Sequence, residues 1–98
     1  MYKITYYIGC NDKDTLKQEL PDTQIISVID SVFDNYTLSQ ALGRFTNKDG
    51  VKTFEKGFVV TLITDDEYER NIFNVAEKVE LLKNNLNQES ILVTREVI

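Results

Sequence analysis

The chain has 98 residues, 42% hydrophobic and 28% charged, with a formal net charge of −5. These are values of one globular domain spanning 1–98, with enough apolar residues for a core, and they exclude a disordered chain. The negative balance repels phosphate backbones and anionic bilayers, so no direct nucleic-acid partner and no membrane partner are expected.

The first element is a strand. Tyr2, Ile4, Tyr6 and Ile8 alternate with Lys3, Thr5 and Tyr7, and Gly9 ends the run. Met1 leads straight into it, so no signal peptide is expected. Gly9 to Pro21 is polar and reads as a long loop with a short helical turn at Thr15–Leu20. Loops of that length carry function or motion. Pro21 stands just outside a helix that Asp22 or Thr23 can cap. Its apolar face is Ile25, Ile26, Ile29, Val32 and Phe33, and Asp34-Asn35 ends it. The spacing outweighs the weak helix propensity of the β-branched residues.

Tyr36 to Thr46 and Val51 to Thr64 read as two strands, joined by the turn Asn47-Lys48-Asp49-Gly50. Asp-Gly is a hairpin signal. The returning strand is the most apolar in the chain and belongs in the middle of a sheet. Asp65-Asp66-Glu67 opens a second helix, where negative charge suits the dipole, and Asp66 with Glu69 resembles a capping box. Tyr68, Ile72, Val75, Ala76, Val79, Leu82 and Leu86 form its stripe. Ser90 to Val97 is a last alternating strand.

The order strand, helix, strand, strand, helix, strand predicts a ferredoxin-like βαββαβ sandwich of the α+β class. Right-handed crossovers give a four-stranded antiparallel sheet of order 4-1-3-2, with two helices on one face. A one-residue bulge near Gly57 would swap the buried and exposed faces of its strand, and that alternative stays open.

Two stretches, Tyr7-Ile8-Gly9-Cys10-Asn11-Asp12-Lys13-Asp14-Thr15 and Leu86-Asn87-Gln88-Glu89-Ser90-Ile91, carry a resemblance. With the spacing between them, the chain resembles small uncharacterised ferredoxin-like proteins from phages and mobile elements of Gram-positive bacteria. The resemblance implies a cytosolic protein in a bacterial host and implies no activity.

No catalytic constellation stands out. The chain has no histidine and a single cysteine, so Cys10 has neither a disulfide partner nor an imidazole base. It reads as a small apolar residue in a reducing, cytoplasmic compartment. The loop Asn11-Asp12-Lys13-Asp14 has oxygen ligands for a hard cation, but Lys13 intrudes and the spacing is wrong for calcium. Its side chains are expected to bond local backbone instead. No metal and no cofactor are expected. Ala41, Gly43 and Gly57 permit either a close approach or a bulge, and the bulge is favoured. Arg44, Glu55, Arg95 and Glu96 read as cross-strand surface charges, so Glu55 receives no role.

Three functions compete. If Ile4, Tyr6 and Ile8 face the helices, then Tyr7, Val59, Ile63 and Leu92 lie on the open sheet face. That apolar patch predicts a non-enzymatic interaction or assembly module acting as a homodimer. The first alternative is a small-ligand-binding protein or enzyme of the dimeric ferredoxin-like type. Tyr6, Tyr7, Tyr36 and Arg44 are then the polar groups of a sheet–helix or interface pocket. A cavity of roughly 300 Å³ or more would favour it. The second alternative is an acidic phage-type inhibitor of a host protein, with Asp12, Asp14, Asp65, Asp66, Glu67 and Glu69 as contacts.

Overall fold

The computed structural model describes residues 1–46 and 49–98. Among them are strands β1 (Tyr2–Gly9), β2 (Thr37–Thr46), β3 (Lys52–Thr64) and β4 (Leu92–Val97), and helices α1 (Asp22–Val32), α2 (Glu67–Arg70) and α3 (Ile72–Leu86). All strand pairs are antiparallel and the order is β2-β3-β1-β4, the expected order read from the other edge. The polar loop from Cys10 to Pro21 forms turns and bends in place of the expected helical turn at Thr15–Leu20. Asn47 and Lys48 of the expected hairpin turn lie outside the described residues. Gly50 has φ +77°, which a side chain would strain.

The alternation in β1 and β3 decides the core. Ile4, Tyr6 and Ile8 meet Phe58, Val60 and Leu62 across the strand pair, and all six are buried. Ile25, Ile29 and Phe33 come down from α1, and Leu82 and Leu86 from α3. No bulge intervenes, since Gly9 to Gly57 pairs in step with every pair before it.

Neither residue proposed as the first cap acts as one. Pro21 holds that position without a side-chain bond. Asp22 instead turns its carboxylate to the Lys56 ammonium at 2.5 and 2.7 Å, which ties the start of α1 to β3. Lys56 first, then Gln18, holds the Asp22 carboxyl below the usual carboxylate range.

The second helix is two helices. Asn71 takes an extended conformation, closes α2 and caps α3 by accepting from the Phe73 N–H. Asparagine favours caps over helix interiors for this reason. The expected capping box is half made: Asp66 accepts from the Tyr68 N–H, while Glu69 turns inward. The break also rotates the stripe. Tyr68 and Ile72 are exposed, and Asn74 and Lys78 are buried in line with Leu82 and Leu86.

Lys78 is enclosed because it is paired. Its ammonium lies 2.6 Å from Glu69 and 5.1 Å from the centroid of the Phe33 ring. Phe33 in turn meets Tyr6 edge-on at 4.8 Å. The Tyr6 hydroxyl is fully buried and has no hydrogen-bonding partner among the described residues.

Burial, and then the Glu69 charge, pushes the Tyr6 hydroxyl up to about 12. An unfolded tyrosine ionises near 10. The contribution to stability is therefore complete below about pH 10 and is lost as pH rises towards 12. Tyr6→Phe should leave stability at neutral pH unchanged or raise it by about 1 kcal/mol, because no protein hydrogen bond is lost. It should also flatten the alkaline fall. Urea midpoints from about pH 8 to about pH 11 check both, and a neutral-pH loss of about 2 kcal/mol or more would show that the hydroxyl has a partner.

Candidate functional site

The register arranges the open face in rows. Thr37, Thr61, Thr5 and Thr94 stand in one row across all four strands, and Thr5 is buried in it. On one side of this row Lys3 pairs with Ile63 and Glu96. On the other, Ser39, Val59, Tyr7 and Leu92 form a row, followed by Ala41, Gly57 and Gly9, and then by Gly43 and Glu55. The apolar patch expected from Tyr7, Val59, Ile63 and Leu92 is thus divided, with Ile63 separated from the other three.

Beyond the threonines the sheet floor drops, because three of its residues have no Cβ. The result is a half-open groove of about 670 Å³. Tyr7, Val59 and Leu92 form its apolar wall, and Asn11 to Lys13, Leu16 and Gln88 to Ser90 close it from two loops. The volume lies in the range of small-molecule sites. Of the two places expected for a pocket, the sheet–helix cleft and the interface face, it lies on the second, the open face of the sheet.

Glu55 lies on the floor. A Cβ added to Gly9 would stand 2.5 Å from one Glu55 oxygen and 2.7 Å from the other, so the missing side chain is what lets the carboxylate lie across β1. A Cβ on Gly57 would stand 2.8 Å from the Ile8 carbonyl oxygen. These glycines therefore serve close approach, and the bulge favoured from the sequence is absent. The Asn11 N–H donates to Glu55 Oε2 at 2.8 Å and holds the carboxylate in place. The sequence pattern alone makes Glu55 a cross-strand surface charge. Its spacing from Gly57 puts both on one face, but only the register reveals that Gly9 lies opposite.

The two stretches that carried the resemblance meet at the rim. The Lys13 N–H donates to the Asn87 carbonyl at 2.9 Å, and Asn87 Nδ2 donates to Asp12 at 2.8 Å and to Asp14 at 2.9 Å. Gln88 Nε2 donates to the Asn11 carbonyl at 2.6 Å. Asp12 also accepts from the N–H groups of Asp14 and Thr15, the local bonding expected of this loop. The Asn87 bond, and then the Asp14 N–H, hold the Asp12 carboxyl below its usual range.

The other candidate residues are dispersed. Tyr6 is sealed in the core. Tyr36 donates its hydroxyl to Asp30, and Arg44 stands over the Phe54 ring at the far end of the hairpin. These three do not share a pocket. Of the six acidic candidates, Asp12 and Asp14 follow the end of β1, while Asp65 to Glu69 follow the end of the antiparallel β3, so they occupy opposite ends of the sheet. Asp65 faces the Met1 amino group at 3.0 Å, Asp66 caps α2, Glu67 pairs with Arg70 and Glu69 with Lys78. A single acidic contact surface does not form. A second, more open groove of about 740 Å³ lies near Tyr2, Arg70 and Arg95, but Glu67 and Glu96 line it as well and leave it no net charge.

No family model matches the sequence, and no curated protein matches it. Solved structures do share its fold. Phage SAM lyase in complex with S-methyl-5'-thioadenosine superposes with a TM-score of 0.66 at 14% identity, over 97% of this chain and 79% of that one. Phage SAM lyase in the apo state gives a TM-score of 0.71 at 16% identity, over 97% and 78%. The expectation of a non-enzymatic assembly module is corrected here. The structures that share the fold are those of an enzyme, and the face assigned to flat contact holds a groove with a carboxylate in it. No helix of the described residues is long and apolar enough to cross a membrane.

Cys10 lies at the edge of the site but is buried, and burial pushes its thiol up to about 11, with Lys56 opposing and Asp22 and Glu55 adding. The native protein should therefore resist alkylation at about pH 8, and the unfolded chain should react readily. Thiol titration with and without urea checks this. Rapid native labelling would show a thiolate in the site.

Proposed function

We propose that this chain is a small-molecule enzyme of ferredoxin-like fold, a lyase acting on S-adenosylmethionine or a closely related sulfonium compound. One observation carries the reading: an anionic side chain, Glu55, is held by a backbone N–H on the floor of a largely apolar groove of about 670 Å³. Such a groove suits a ligand with apolar, planar parts and a positive charge. The shared fold with phage SAM lyase supports the choice within that class.

The chemistry follows from the substrate's charges. Release of S-methyl-5'-thioadenosine breaks the bond between sulfur and the aminobutyrate chain, and the bonding pair stays on sulfur. The sulfonium becomes a neutral thioether. The chain carbon is closed either by its own carboxylate, giving a lactone, or by loss of a neighbouring proton to a water molecule at the open side of the groove, giving an alkene. Positive charge on sulfur fades along the reaction, so a wall that excludes water favours it. Tyr7, Val59 and Leu92 supply that wall. Glu55 receives the cationic amino end of the substrate and fixes the chain for closure.

Self-association belongs to the same proposal. Leu92 is 63% exposed beside the groove, and a second copy seated there would close it. The phage or mobile-element origin and the cytoplasmic location expected from the sequence also stand within it.

Incubation of the purified protein with S-adenosylmethionine should yield S-methyl-5'-thioadenosine by mass spectrometry, and the second product decides between lactone and alkene. Glu55→Gln should lower kcat/KM by about 10²-fold, and Gly9→Ala, which displaces the carboxylate, should do the same without unfolding the protein. No turnover and no binding of S-methyl-5'-thioadenosine by the wild type would overturn the reading. In light scattering the wild type should be oligomeric and Tyr7→Glu monomeric. A monomeric wild type would remove self-association and leave the lyase reading intact.

A further inference from the structure

We infer that Gln88 is a positioning residue for Glu55 and acts through the backbone of Asn11. The inference rests on the reading of the groove as the site. Gln88 is 7% exposed, and a buried amide is costly unless its donors are used. Its Nε2 donates to the Asn11 carbonyl at 2.6 Å, and the N–H of the same residue donates to Glu55 at 2.8 Å. Both backbone polar groups of Asn11 are therefore committed, one to Gln88 and one to the carboxylate. The two groups lie on the successive peptide planes that flank the Asn11 Cα. The Gln88 bond, together with the Asp12 N–H bond to the Lys17 carbonyl at 2.9 Å, holds the second plane, and the N–H on the first is oriented against it.

The chain brings Gln88 there by ending α3 two residues earlier. Asn87 takes a left-handed conformation with φ 49°, and the Gln88 N–H returns to the Lys83 carbonyl at 3.0 Å. Gln88 is thereby tied to the last turn of a helix that packs on the core through Leu82 and Leu86. The floor carboxylate is thus referenced to the helix layer through a single residue of the loop. Asn87 makes a separate set of bonds, to Lys13, Asp12 and Asp14, that does not include Asn11. This separation lets positioning be told apart from simple anchoring of the loop.

The test compares Gln88→Met, which keeps the volume and removes the donor, with Asn87→Gly, which keeps the left-handed turn and the backbone bond from Lys13 and removes the side-chain bonds to Asp12 and Asp14. Amide spectra, affinity for S-methyl-5'-thioadenosine and turnover of S-adenosylmethionine are measured on each. In Gln88→Met the Asn11 amide resonance should move, as it should in Glu55→Gln. Its kcat should fall about tenfold or more, with product affinity held within about twofold. Asn87→Gly should keep kcat within about threefold of wild type. An unmoved Asn11 amide, or an equal kcat loss in Asn87→Gly, would overturn the inference. If the wild type turns over no substrate, the reading of the site fails, and the Asn11 amide still decides whether Gln88 controls the Glu55 contact.

Discussion

The register of β1 on β3 sets Gly9 opposite Gly57, and two facing residues without side chains leave a gap in the open face of the sheet. A Cβ on Gly57 would meet the neighbouring backbone at 2.8 Å, so the strands pack there with nothing between them. A Cβ on Gly9 would occupy the place of the Glu55 carboxylate. The same register decides the core, because it sends Ile4, Tyr6 and Ile8 to the helices together with Phe58, Val60 and Leu62. Core and groove are therefore not independent. A shift of one residue would bring the glycines under the helices and lift the core residues into water.

The helix layer is less uniform than the sheet beneath it. The break at Asn71 shortens the approach from β3 and lets α2 turn Glu69 inward to Lys78. Breaking a buried ion pair by removing one partner is far more costly than the pair's net contribution, so such a contact acts chiefly to define one arrangement. Here it fixes α2 against α3. The Phe33 ring, within reach of both Lys78 and Tyr6, connects that corner to the first strand. The corner lies under the sheet face opposite the groove, and its polar groups serve packing.

Much of the fold was legible because period-2 and period-3.6 patterns report burial directly. Strand order and the identity of the central strands followed from those patterns and from handedness. The site was less legible, for three physical reasons. Glu55 sits on a strand among alternating charges, where surface pairing is the ordinary outcome. Its special position depends on a residue, Gly9, that is distant in sequence and adjacent only through the register. Asn11 contributes through its backbone N–H, which no side-chain motif can announce. The stretches around Asn11 and Gln88 did stand out as sequence. Their meaning appears only when the structure joins them, since hydrogen bonds between residues 77 apart have no local signature.

The electrostatics of the whole chain bear on how the proposed substrate would bind and its product leave. A net charge of −5 disfavours polyanions, but the proposed substrate carries two positive charges and one negative at neutral pH. An acidic protein draws such a molecule in over a Debye length of about 8 Å at physiological salt. Near the groove Asp12, Glu55 and Glu89 outnumber Lys13, so the local field has the same sign as the global one. The thioether product has lost the sulfonium charge and with it this attraction. Because the acidic groups are spread over both ends of the sheet and paired locally, they supply a field rather than a contact surface. That field would favour entry of the proposed cationic substrate and release of its neutral thioether product.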